Sequence, residues 1–111
     1  MFALNKPPAL YWSIKQKANW LERCIIIHSI LYYEMHENII EDFQFDKAGK
    51  QLLKYKKQLG QQEFKQTEYY YVFKDFDAST GFYIYDRLNK YDKKYLTMLA
   101  EFTLRNYKRG K

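Results

Sequence analysis

Between Leu10 and Met35, Leu10, Ile14, Ala18, Leu21, Ile25, His28, Leu31 and Met35 recur three or four positions apart. An α-helix, at about 3.6 residues per turn, brings such a series onto one face; a strand does not. The spacing predicts a helix sustained to about Glu37, roughly 40 Å long at about 1.5 Å per residue. The run Ile25, Ile26, Ile27 widens the stripe, so the second half of this helix is expected to be buried on more than one side. Pro7 and Pro8 stand ahead of it, where a missing N–H costs nothing and a fixed φ suits the start of a helix.

The stretch "HENIIED" breaks the pattern. Asp42 is the expected N-cap of a second helix, with Asp46 one turn later near the positive end of the helix dipole. Phe45, Ala48, Leu52, Tyr55 and Leu59 then repeat at helical spacing, and Gly60 is the expected stop. Gly49 inside this helix is expected to permit close approach of the first. Residues 10–60 therefore read as a long antiparallel helical hairpin. "QQEFKQTE" reads as a polar connection. "YYYVFKDF" (Tyr69 to Phe76), aromatic with valine, reads as a short extended segment. "DASTG" is a loop by composition, with Ser79 or Thr80 capping a short helix marked by Phe82, Tyr85 and Leu88. Asp92 is expected to cap a last helix through about Tyr107, with Tyr95, Leu99, Phe102 and Asn106 on one face. The fold class is mainly α, one domain over residues 1–111, with the C-terminal helix packed on the hairpin.

A chain of 111 residues can bury about two-thirds of its unfolded surface and stand without covalent staples. Cys24 is the single cysteine, which excludes an internal disulfide and a cysteine-rich zinc site. The first residues lack a signal-peptide pattern, and "CIIIHSIL" falls well short of the roughly 20 apolar residues of a bilayer span. A cytoplasmic protein without membrane contact is the expectation. The formal charge of +6 favours an anionic partner. Lys47, Lys50, Lys54 and Lys57, with Lys56 and Tyr55, form a basic surface on the second helix that suits either solvation or a phosphate backbone.

On the first helix His28 and Tyr32 share a face, with Tyr33 offset by about 100°. Asp42 and Asp46 share a face of the second. A tight connection brings the aromatic rings beside the carboxylates. Such a corner either packs as an elbow or holds a flat cationic ring whose ribose hydroxyls meet the acids.

The order of these residues resembles the N-terminal helical subdomain, called domain Ia, of bacterial NAD-dependent DNA ligases. That subdomain carries Tyr-Tyr or Tyr-His at the end of one helix, a spacer of fixed length, then Asp-x-x-Tyr-Asp opening the next. Here Tyr32-Tyr33 is followed, after the same spacer, by Asp42-Phe43-Gln44-Phe45-Asp46, and His28 falls where the family often has histidine. The likeness spans roughly residues 10–60. It implies a site for nicotinamide mononucleotide (NMN), or the same half of NAD, held by His28, Tyr32, Tyr33, Asp42, Phe45 and Asp46. Phe45 departs from the family's tyrosine and removes one hydroxyl contact, worth about 0.5–1.5 kcal/mol. No Lys-x-Asp-Gly adenylation motif occurs, so the chain is not a ligase, and no enzymatic activity is expected.

Other chemistry is thinner. Asp75, Asp77, Ser79 and Asp86 fall at calcium-loop spacings, but Thr80 stands where that loop needs glycine, and no metal is expected. Cys24 and His28, four apart in an apolar setting, read as core residues rather than a thiol–imidazole pair. Two alternatives to a nicotinamide-nucleotide module stay open. One is a protein-interaction module of the sort a phage or mobile element carries against a host protein. The other is a basic nucleic-acid-binding accessory protein.

Overall fold

The structure, a computed structural model, describes residues 11–78 and 81–110. Helix α1 (Ile14–Ser29) begins at a capping box. The Gln16 N–H donates to Ser13 Oγ at 3.1 Å, and the Ser13 N–H donates to Gln16 Oε1 at 2.8 Å. Two donors that a helix start leaves orphaned are thereby satisfied. The expected opening at Pro7 and Pro8 lies outside the described residues. Ala18, Leu21, Ile25, His28 and Leu31 are buried as their spacing requires, and burial is unbroken from Cys24 to Leu31.

Regular α geometry ends before Glu37. Ile30–Glu34 forms a π-turn, in which the Met35 N–H donates to Ile30 O at 3.0 Å. A five-residue hydrogen-bond step is wider than the α step, and such turns recur at functional sites. Here it carries Tyr32 and Tyr33. The chain then passes through His36, whose φ of 54° is left-handed.

Helix α2 (Asp42–Phe64) is capped by Glu41, not by Asp42. Gln44 Oε1 accepts the Glu41 N–H at 2.7 Å, and Asp42 becomes the first helical residue, still beside the positive end of the dipole. Gly60 does not stop the helix. At φ 76° and ψ 170° it kinks the chain, which resumes to Phe64. Part of the expected polar connection is therefore helical, because Phe64 drives its own burial to 1% exposure.

The aromatic run is not extended. Tyr70–Phe73 forms one helical turn, α3, with the Phe73 N–H on Tyr69 O at 3.2 Å and the Phe76 N–H on Phe73 O at 3.1 Å. Strand propensity expresses fit to a pleated partner surface, and no strand exists among the described residues. Coiling instead sends Tyr69, Val72, Phe73 and Phe76 together into the core.

Two helices complete the chain, α4 (Ile84–Arg87) and α5 (Lys90–Arg109). Asn89, not Asp92, caps α5, accepting the Asp92 N–H at 2.7 Å. Asp92 instead accepts the Tyr71 hydroxyl, which ties α3 to α5. The buried face of α5 is Leu96, Ala100 and Thr103. Tyr95, Leu99, Phe102 and Asn106 share the neighbouring face as expected, with Tyr95 and Leu99 half-buried and Phe102 52% exposed. Small side chains at Ala100 and Thr103 let α5 approach α1, which the larger residues would hold away.

Helix α1 is central, packing against α2, α4 and α5. Its middle is also bolted to the turn after α2. Glu22, with no exposed surface, accepts the Thr67 hydroxyl at 2.9 Å and the Tyr69 N–H at 3.1 Å. Burial pushes its carboxyl up to about 7, against the opposing pull of those two donors. Next to it Arg23 pairs with Glu68 at 2.6 Å, and Asn19 Oδ1 accepts the Glu68 N–H at 2.8 Å. A Cα radius of gyration of 13.3 Å equals that of a compact domain of this length, about 13 Å. No helix among the described residues is long and apolar enough to cross a membrane.

Candidate functional site

The end of α1, the π-turn and the first two turns of α2 converge on a cavity of about 250 Å³. His28, Tyr32, Tyr33, Asp42, Phe45 and Asp46, the six residues expected to form one site, all line it. Small-molecule sites run from roughly 300 to 1,000 Å³, so this one is of fragment to nucleoside size.

Each side chain is placed by a local cause. His28 comes from the last α turn and is 3% exposed. Its Nε2 is buried and has no hydrogen-bond partner. Burial drives its pKa down to about 4, so the imidazole is neutral at neutral pH. The π-turn sets Tyr32 and Tyr33 edge to face, with ring centroids 4.8 Å apart and planes at 75°. Tyr32 is 43% exposed and Tyr33 half-buried. One helical turn separates Asp42 and Asp46, both exposed at the cavity. Between them Phe45 turns its ring inward against Gly81.

The remaining wall comes from the C-terminal half, through Phe76, Ala78 and Gly81. Gly49 does allow a close approach, and the atoms nearest to it belong to this wall. A Cβ there would stand 3.1 Å from the Ala78 Cβ and 3.3 Å from Phe76 Cζ. A Cβ on Gly81 would stand 2.9 Å from Phe45 Cζ. The buried Ser29 hydroxyl pins the wall, donating to Gly81 O at 2.8 Å. Ala78 holds a φ of 66°, which for a residue with a Cβ costs on the order of 1–2 kcal/mol. The tyrosine-rich half of the chain thus walls the corner and leaves it open.

The wall was not among the expected site residues. Nor were Glu37, Asn38, Ile39 and Ile40 of the connection, which also line the cavity. Only the paired glycines, Gly49 and Gly81, mark in sequence where two backbones must come close.

Elsewhere the expected chemistry resolves into structure. Cys24 is fully buried, and burial pushes its thiol up to about 12. Asp75, first in the calcium-like spacing, forms an ion pair with Arg87, which also donates to Val72 O at 3.1 Å. Ser79 and Thr80, expected as loop ligand and helix cap, lie outside the described residues. Among the described residues no group of three or more His, Cys, Asp or Glu side chains could hold a metal ion. Lys47, Lys50, Lys54 and Lys57 are exposed along α2. Lys56 leaves that face, donating to Lys74 O at 3.2 Å with its ammonium 5.3 Å from the Phe64 ring centroid.

The chain matches no family model, no curated protein and no solved structure.

Proposed function

We propose that the chain is a non-catalytic binding module that takes the nicotinamide–ribose end of a nicotinamide nucleotide into the corner between α1 and α2. In this reading the two helices are the arms of an antiparallel hairpin like that of ligase domain Ia. Tyr32 and Tyr33 meet the pyridinium ring, one by its face and one by its edge, Asp42 and Asp46 accept from ribose hydroxyls, and Phe45 supplies an apolar edge. The observation that carries the reading is the convergence of six residues, chosen on sequence alone, around one cavity. The buried, unpartnered Nε2 of His28 adds a polar contact that a ligand carboxamide or hydroxyl can satisfy. Titration with NMN, followed by NMR, tests it. Shifts confined to residues 28–49 and 76–81, lost in Asp46→Ala, support the reading. Unmoved spectra at millimolar NMN reject it.

A second reading has its own observation. On α5, Tyr91, Tyr95, Met98 and Phe102 recur at helical spacing on the outer face, with Tyr91 75%, Met98 56% and Phe102 52% exposed. The Tyr91 and Tyr95 rings stack, with centroids 6.4 Å apart and planes at 14°. An apolar stripe on a basic protein favours a protein-interaction module. Under this reading Met98→Ser with Phe102→Ser leaves the fold intact and removes every protein captured by the unaltered chain.

A further inference from the structure

Nicotinamide nucleotides carry two opposite charges, a pyridinium cation and a phosphate, and the cavity does not treat them alike. Four carboxylates line it: Glu37, Glu41, Asp42 and Asp46. Among its described lining residues there is no lysine or arginine. Among the described residues only Glu37 is met by a cation from outside, the Lys108 ammonium at 3.4 Å. His28 lines the same cavity 3% exposed with its Nε2 unpartnered, so the lining also holds an uncharged polar side chain. The exposed lysines of α2 stand on its solvent side and are not part of the lining.

We infer that the cavity selects a cationic, unphosphorylated pyridinium nucleoside, and that a phosphate weakens binding instead of strengthening it; this rests on the nicotinamide reading above. The molecule's +6 charge pulls the other way, drawing phosphate toward the protein. That field is screened over about 8 Å at physiological salt. Carboxylates at the cavity act over a few ångströms, well inside that length, so the local sign decides. A pyridinium against a tyrosine face and unpaired acids gains both ring-quadrupole and Coulomb attraction. A phosphate beside the same acids meets repulsion, on the order of tenfold in affinity. Size agrees, since about 250 Å³ holds no dinucleotide.

Calorimetric titration at physiological salt with nicotinamide riboside, NMN and NAD tests this, with 1-methylnicotinamide against neutral nicotinamide as a charge-only pair. The expected order is riboside tightest, NMN roughly tenfold weaker and NAD no better than NMN. The methylated cation should also bind more tightly than nicotinamide. In Asp42→Asn with Asp46→Asn, exposed and conservative changes, the riboside–NMN gap should shrink to less than about threefold. NMN or NAD binding as tightly as the riboside overturns the charge selection and leaves the nicotinamide site standing. Silence from every ligand overturns both.

Discussion

Two buried ionisable groups on α1 pull the pH dependence of stability in opposite directions, and Glu22→Gln separates them. The Glu22 carboxyl is raised by burial from its ordinary 4.5 to about 7, so the folded chain holds a proton there that the unfolded chain has released. That contribution is fully present below 4.5 and is lost as pH rises through about 7. His28 is lowered by burial from 6.5 to about 4, so the unfolded chain takes up a proton that the folded chain refuses. Its contribution is present above 6.5 and is lost as pH falls through about 4. At about 1.4 kcal/mol per pH unit, each group is worth about 3 kcal/mol across its window. Between 4.5 and 6.5 the two slopes cancel. In Glu22→Gln the amide mimics the protonated acid, its oxygen accepting the Tyr69 N–H and its nitrogen donating to the Thr67 hydroxyl, whose own proton goes to Phe64 O, leaving His28 unopposed. Relative to the unaltered chain, the variant should gain about 3 kcal/mol as pH rises from 4.5 to about 7. Urea denaturation at several pH values in that window measures the difference. Other carboxylates, Asp75 with Arg87 among them, affect both chains equally and drop out. A stability difference that stays constant with pH refutes the argument, because a merely lost contact has no such slope.

Four further outcomes follow from single contacts. Ser29→Ala should cost about 1–2 kcal/mol by orphaning the buried Gly81 carbonyl, and should weaken ligand binding by loosening the wall, both read by thermal denaturation and titration. Ala78→Gly should stabilise by on the order of 1 kcal/mol, because glycine takes a φ of 66° without the Cβ penalty; a destabilised variant would refute that backbone assignment. Gly81→Ala should destabilise by about 1–3 kcal/mol as its Cβ, 2.9 Å from Phe45 Cζ, forces the ring aside, with altered Phe45 resonances. Tyr71→Phe should cost about 1 kcal/mol by cutting the tie to Asp92, and should remove a phenol whose burial holds its pKa near 12, visible in a spectrophotometric titration.

The corner was legible because it is local. His28, Tyr32 and Tyr33 lie within six residues, Asp42 to Asp46 within five, and helical spacing with a short connection fixes what they face. The α1 stripe was legible for the same reason. The ends were less so: Asp42 and Asp92 look like caps, yet Asn89, as good a cap by propensity, takes the second place, and Glu41, its N–H held by Gln44, takes the first. Which face of α5 is buried was not legible, because only Leu96 of its buried residues is large and apolar while Ala100 and Thr103 are small. Glu22 escaped notice because nothing nearby in sequence marks it. Its partners, Thr67 and the Tyr69 N–H, stand 45 and 47 residues away.

The same distinction bears on how the corner between α1 and α2 is closed. Its opposite wall is Phe76, Ala78 and Gly81 of the C-terminal half. That wall meets α1 and α2 at two glycines and one hydroxyl, Gly49, Gly81 and Ser29, where an added Cβ would stand 3.1 Å from Ala78 Cβ or 2.9 Å from Phe45 Cζ. Under the proposed reading, a wall held that closely lowers the ordering cost of binding. The small volume it leaves makes charge and ring contact, instead of area, the source of affinity, and an acid-lined corner of that size is then suited to a compact cation.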